Sequence, residues 1–190
     1  MSSIRSDFKE EVHAAFTDRA LLYARSKHMH EPAAVRFLVE FARPKRGEKL
    51  LDVACGPGTV TLAFARAGCQ VTGVDFTERM LDLAREGVGG DRLRVRFLPG
   101  DAEALPFPDN SFHLAYSRAS FHHFERPEKA LDEMSRVTQP GGRVLIADFV
   151  SSEVKCKRHY QNRMEKLRAP GHHWTNPISD FEKWASGRSL

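Results

Sequence analysis

Three carboxylates fall at or just beyond the ends of successive apolar runs, and a glycine-rich turn follows the first. Asp52 lies in the stretch from Leu50 to Gly58, Asp75 closes the run from Gln70, and Asp101 follows the run from Arg94 to Leu98. A carboxylate accepts hydroxyl and amino hydrogens. Asp75 stands seventeen residues past Gly58, close to the spacing at which an acid bonds a ribose diol. Asp101 can accept an exocyclic amino group, and Asp52 suits an ammonium. Gly56 and Gly58 let the chain turn sharply and leave no Cβ between backbone and ligand. A second group, His122 and His123, lies in the segment from Arg118 to Phe124. Histidine titrates near neutral pH and can take a proton from a hydroxyl or a weakly acidic carbon. Adjacent residues point different ways, so at most one of the two serves.

The glycine turn alone serves NAD, FAD and S-adenosylmethionine equally. Two residues favour the last. Thr61 stands where a dinucleotide fingerprint wants a third glycine, and a pyrophosphate fits poorly beside Asp52. No metal is expected: His122-His123 and His172-His173 would have to meet from distant segments. Cys55 lies near a helix N-terminus, a place that lowers a thiol pKa, but reads more simply as a small residue fitting the turn.

The elements that must position these residues alternate strand and helix. Phe8, Val12, Ala15 and Phe16 share a helical face, and a second helix starting at Pro32 is expected to bury Val35, Phe37, Leu38 and Phe41. Tyr23 and Ser26, between the two helices, could fold over the crevice as a lid, although Tyr23 reads equally well as a core aromatic. Strands are predicted at Leu50, Gln70–Asp75, Arg94–Leu98, Phe112–Ser117 and Arg143–Phe149. Helices are predicted after Gly58, after Thr77 (with Met80, Leu83 and Ala84 as its apolar side) and from Pro127 (with Ala130, Leu131, Met134 and Val137). Crossovers of this kind give a parallel sheet covered on both faces. Beyond it, a basic helix over Glu153–Arg168 carries one apolar stripe, Tyr160, Met164 and Leu167, and a last short helix is anchored by Phe181 and Trp184.

Composition narrows the class. The 190 residues are 41% hydrophobic and 28% charged with net charge +4, which reads as one soluble globular unit and gives no case for nucleic acid. Three cysteines without metal-type spacing suit a reducing, cytoplasmic compartment. No stretch is long enough for stable membrane insertion.

With these motifs in order, the chain resembles class I S-adenosylmethionine-dependent methyltransferases, most closely the branch acting on small molecules and quinone precursors. The stretch Asp52–Gly58 resembles that family's first motif, Val74-Asp75 its ribose acid, and Gly100–Phe107 its adenine-contacting segment; Pro108–Phe112 and Gln139–Gly142 complete the pattern. The resemblance implies an α/β, Rossmann-like three-layer αβα sandwich with a parallel five-stranded sheet in order 3-2-1-4-5. It implies that Asp52, Gly56 and Gly58 surround the methionine end, that Asp75 holds the ribose, and that Phe76 and Met80 lie beside the adenine. Asp101 and the Ala102 amide would meet the adenine edge, Ser117 would border the ligand, and Tyr23 would cover it. The acceptor, a small organic molecule, is expected beside Arg118–Phe124 and the loop from Leu167 to His173, with Arg168 and His172 on the substrate side.

Three segments follow: 1–46 as N-terminal helices and lid, 47–152 as the cofactor core, and 153–190 as a helical acceptor-side segment. Family members continue into an antiparallel strand pair that has no room here. The expectation is therefore a shortened chain, or a fifth-strand edge covered by another copy. A module that binds S-adenosylmethionine without catalysis is the competing reading.

Overall fold

A computed structural model describes residues 7–26, 31–169 and 171–186. Pro170 in the expected acceptor-side loop, and residues 187–190 at the end, lie outside them. Helices α1 (Asp7–Arg25) and α2 (Pro32–Ala42) precede β1 (Lys49–Val53), α3 (Thr59–Arg66), β2 (Gln70–Asp75), α4 (Glu78–Val88) and β3 (Val95–Pro99). Then come β4 (Phe112–Arg118), one 3-10 turn (Phe121–His123), α5 (Pro127–Val137), β5 (Thr138–Ala147), α6 (Lys155–Arg168) and α7 (Ile178–Ser186). The five strands order as β3-β2-β1-β4-β5, all parallel, which is the Rossmann-like arrangement expected.

The order matters because it reverses beside β1. In such a sheet, loops leaving the two strands at the reversal diverge and open a crevice at their carboxyl ends. Asp52 pairs in register with Gly73 of β2 and Tyr116 of β4, so its side chain is set at that opening by both neighbours. Leu50, Leu51 and Val53 of β1 are fully buried, as apolar residues covered on both faces must be. One cluster joins Leu51, Val53, Met134, Val137 and Trp184, and another joins Leu50, Phe64, Leu114 and Tyr116 on the opposite face.

Several local expectations are corrected. In α2, Phe37 and Phe41 are 66% and 63% exposed, while Val35, Leu38 and Ala42 face inward. The sequence places apolar residues on more than one helical face, and the side with Leu38 and Ala42 joins the cluster that includes α3 and β1. In α4 the fully buried leucine is Leu81, not Leu83. Tyr23 belongs to the last turn of α1, not to a link between helices. The fifth strand begins at Thr138, five residues early, with a shift in register opposite Phe112–Leu114. Cα pairing there tolerates the Gly141-Gly142 turn because an irregularity absorbs the extra residues.

The basic helix differs most. Its apolar stripe is not packed into the core, with Tyr160 67% and Leu167 76% exposed, and its buried residue is polar Asn162. Asn162 Oδ1 accepts the Thr175 N–H at 2.6 Å, and its Nδ2 donates to the carbonyls of Thr175 and Arg158 at 3.0 and 3.1 Å. A fully paired amide is what allows a polar residue to anchor this helix. No helix among the described residues is long and apolar enough to cross a membrane.

Candidate active site

A cavity of about 750 Å³ opens over the carboxyl ends of β1, β2 and β4. That size suits a ligand of cofactor dimensions. Its floor holds Asp52, Ala54, Gly56, Asp75 and Ala102; Phe76, Met80 and Asp101 flank one side. Tyr23, His122, His123 and Arg168 stand around the other. Gly58 and Ser117 do not line it.

The geometry explains the two glycines differently. Gly56 has φ +53°, and a Cβ there would meet nothing within 4 Å, because its Cα faces the cavity. Gly58 has φ +78°, and a Cβ would lie 2.9 Å from Ala84 Cβ and 3.2 Å from the Phe97 ring. It lets α3 start close against α4 and β3, a packing role. Ala54, also in this loop, takes φ +58° without being glycine, a conformation costing about 1–2 kcal/mol. Ser117 is buried in β4, and its hydroxyl has no partner among the described residues.

Asp52 and Asp75 are both buried. Asp75 Oδ2 accepts the Gly56 N–H and Oδ1 the Thr77 N–H, each at 2.9 Å, so one side chain ties the β1–α3 turn to the end of β2. Burial raises its pKa above the ordinary range while those N–H groups pull it back. Each oxygen keeps a lone pair for a hydroxyl. Asp52 has less support. Thr61 Oγ1 donates to its Oδ2 at 2.5 Å, and no cation reaches it among the described residues. Burial pushes it up to about 7. The nearby Tyr116 hydroxyl is itself buried without meeting hydrogen-bond geometry to any group. A desolvated carboxylate without a countercharge is the environment a cationic ligand group would stabilise. Thr61, read from sequence only as a missing glycine, therefore has its own contact. The Cys55 thiol is pushed well up by burial beside these acids, so the low-pKa alternative does not hold.

At the third strand end, Asp101 accepts the Glu103 N–H at 2.9 Å and meets Lys9 Nζ of α1 at 2.7 Å. Lys9 also meets Glu103 at 2.8 Å, and Glu103 further holds Arg126. Helix α1 is thus clamped over the acids that follow β3, with His13 packed edge-on against Phe76 at 5.6 Å. The Lys9 clamp and Glu103 carry no signal in the motif itself; they connect positions more than ninety residues apart.

On the other side, His122 and His123 occupy the 3-10 turn after β4, their rings 4.0 Å apart. His123 Nδ1 lies 2.7 Å from the Gly171 carbonyl, and its ring packs on Phe16 at 4.8 Å. Burial pushes its pKa down to about 3. His172 is bonded to Asn162 and pushed down to about 4, first by burial. His122 Nδ1 lies 2.5 Å from Asp148 Oδ1. Asp148 was not singled out in the sequence: it stands alone after an apolar strand, and only the fold brings it to His122. No group of three or more histidine, cysteine or acidic residues able to hold a metal occurs among the described residues.

A family model described as a methyltransferase domain matches residues 51–146. The chain is 31% identical over 176 residues to an uncharacterized methyltransferase, YcgJ, of Bacillus subtilis, covering 92% of this chain and 70% of that one. The YcgJ crystal structure superposes with a TM-score of 0.78, over 82% of this chain and 67% of that chain at 31% identity. A demethylmenaquinone methyltransferase of Clavibacter sepedonicus is 39% identical over 127 residues, 67% of this chain and 51% of the relative. A malonyl-[acyl-carrier protein] O-methyltransferase of Erwinia pyrifoliae is 37% identical over 147 residues, 77% of this chain and 54% of the relative. The chain thus spans about half the length of the last two.

Proposed function

The chain belongs to the methyltransferase domain family, whose methyl donor is S-adenosylmethionine, and we propose that it transfers a methyl group from that donor to a small organic acceptor. The observation that carries the reading is Asp52, a buried carboxyl at the cavity floor, raised to about 7 and without a cation among the described residues. The ammonium of the donor's methionine end would supply that countercharge and hold the carboxyl ionised. Asp75 would accept the ribose hydroxyls, Phe76 and Met80 would face the adenine, and Asp101, with the Ala102 amide, would meet its edge while still paired to Lys9. Gly56 leaves the space for close approach, whereas Gly58 supports the turn from behind.

When bound, S-adenosylmethionine supplies a sulfonium methyl already activated for in-line displacement. The protein's share is then to align the acceptor, exclude water and accept a proton where the acceptor needs to lose one. Residues 47–152 carry the cofactor functions; α1 and the segment from 153 onward shape the acceptor side. The apolar wall from Phe16, Leu22, Phe149 and Met164, with Arg19 and Arg168 at its rim, suits an organic acid or phenol with an apolar body. Of the two histidines, His122 is assigned the proton-accepting role and His123 the structural one, since His123 is buried and held neutral.

Calorimetric titration with S-adenosylmethionine and S-adenosylhomocysteine, followed by transfer of tritiated methyl to reduced 1,4-naphthoquinone, to malonate monoesters and to simple amines, tests this. Binding plus label on a hydroxyl, carboxyl or ring carbon is the expected result. Folded protein that gives no heat at about 1 mM donor, an upper limit for working affinities, overturns it.

A further inference from the structure

His122 is held by a carboxylate arriving from another strand. Asp148 directly follows β5, and its side chain is only 2% exposed. Its Oδ2 accepts the N–H groups of Ser120 at 3.0 Å and Phe121 at 2.5 Å, so it caps the turn that carries the histidine. Its Oδ1 lies 2.5 Å from His122 Nδ1 and also accepts the Phe149 N–H at 2.6 Å. An ionised carboxylate only accepts, so the hydrogen of this contact sits on Nδ1. The neutral ring must then carry its lone pair on Nε2. That nitrogen has no hydrogen-bond partner among the described residues, and His122 lines the cavity. The ring is wedged by His123 at 4.0 Å, His172 at 5.5 Å and Phe149 at 5.5 Å, which restrains it from swinging away.

Resting on the methyl transfer proposed above, we propose that Asp148 is a positioning residue that fixes the tautomer of His122, so that Nε2 takes the acceptor's proton. The acceptor's O–H or C–H bond breaks, its proton passes to Nε2, and its electron pair forms the new bond to the methyl carbon. The carbon–sulfur bond breaks and sulfur keeps that pair. The imidazolium left behind is stabilised by the Asp148 charge and later releases its proton to water. The neighbouring histidines cannot substitute, because neither has a carboxylate on its ring: His123 meets the Gly171 carbonyl and His172 meets Asn162.

The charged and titratable groups around His122 are counted from each element. Asp148 comes from the end of β5, His123 from its own turn, and His172 and His173 from the loop between α6 and α7. Arg118 of β4 and Glu165 and Arg168 of α6 line the same cavity. Asp148 is the carboxylate in direct contact with the ring.

The test uses the full chain labelled with nitrogen-15 and two-bond imidazole proton–nitrogen spectra, with H122Q identifying the His122 signals. Wild type is expected to show the Nδ1–H form. D148N, whose amide can donate to Nδ1, is expected to show the Nε2–H form, and D148E to restore the original. With reduced 1,4-naphthoquinone as acceptor, D148N is expected to lower kcat about 10-fold or more and H122Q about 100-fold. The dissociation constant for S-adenosylmethionine should change less than twofold in D148N. An unchanged tautomer in D148N, or a loss of Tm and a raised KM with kcat unmoved, overturns the proposal. Because Asp148 also caps the turn, D148N could lose its fold; H122Q keeps that cap, and full turnover in H122Q overturns the proposal independently. Failure of wild type to bind S-adenosylmethionine removes the methyl-transfer reading instead, and the tautomer measurement still decides the Asp148–His122 pairing.

Discussion

The two sides of the cavity are shaped by the same force with opposite sign. On the proposed cofactor side burial acts on acids: Asp52 is pushed up to about 7 and Asp75 is raised. On the proposed acceptor side burial acts on bases: His123 is pushed down to about 3 and His172 to about 4. Desolvation disfavours charge wherever it sits, so acids rise and imidazoles fall. The first side is therefore receptive to a cation, and on the second Asp148 sets a carboxylate against the ring of His122. The sides also differ in assembly. The acids lie at or just past the ends of neighbouring strands, Asp52 and Asp75 held from the β1–α3 region and Asp101 held by Lys9 of α1. The histidine side is tied together from the end of β4, the end of β5, α6 and the loop after it, segments up to about fifty residues apart.

The largest effect expected is on the first side alone. Asp75→Ala removes the acceptor for Gly56 and Thr77 and the proposed ribose contact. Calorimetry should show S-adenosylmethionine affinity reduced about 100-fold, roughly two charge-assisted hydrogen bonds. H122Q should leave that affinity unchanged, and equal losses would erase the distinction between the sides.

Next is the pair of glycines. Gly58→Ala forces a Cβ to 2.9 Å from Ala84 at positive φ and is expected to cost about 2–3 kcal/mol by denaturant unfolding. Gly56→Ala shares only the backbone penalty, about 1 kcal/mol, and should reduce cofactor affinity more than stability. The reverse ranking would exchange their roles.

Asn162→Ala tests the second side. It leaves the Thr175 N–H and His172 without their shared partner and is expected to destabilise by about 1–3 kcal/mol. Methyl transfer should fall while calorimetric cofactor affinity stays within twofold.

The smallest net effect is on stability against pH, because the sides oppose each other. Between the ordinary 3.8 and about 7, the folded protein retains a proton on Asp52 that the unfolded chain has released, so stability falls as pH rises there. Between about 4 and 6.5, the unfolded chain binds a proton at His172 that the folded protein refuses, so stability rises with pH. Circular dichroism melts across that range should show a steeper rise in Tm for Asp52→Asn and a shallower one for His172→Gln. Parallel curves would mean that neither group is desolvated as described.

The contrast also accounts for what could be read in advance. The strand order and the grouping of Asp52, Gly56, Asp75 and Asp101 follow from alternation and turn residues, which act over a few positions. Gly58 is legible as a turn former, but its tight contact with α4 is not. Phe37, Phe41 and Leu167 mislead, because periodicity says that a helix has an apolar face but not whether anything covers it, while Tyr160 and Met164 of the same stripe line the cavity instead of the core. Asn162 gives no advance signal, since a lone asparagine in a basic helix looks solvated.

The sequence by itself determined the parallel sheet, its crevice and the acids around it. Those features depend on interactions between near neighbours in the chain, which the order of residues states directly. Only the tertiary structure decided that Asp148 meets His122, that Lys9 clamps Asp101 and Glu103, and that Asn162 ties α6 to the loop after it. Each contact joins separate elements of the fold, and its energy comes from desolvation and pairing, which exist only once the fold has excluded water.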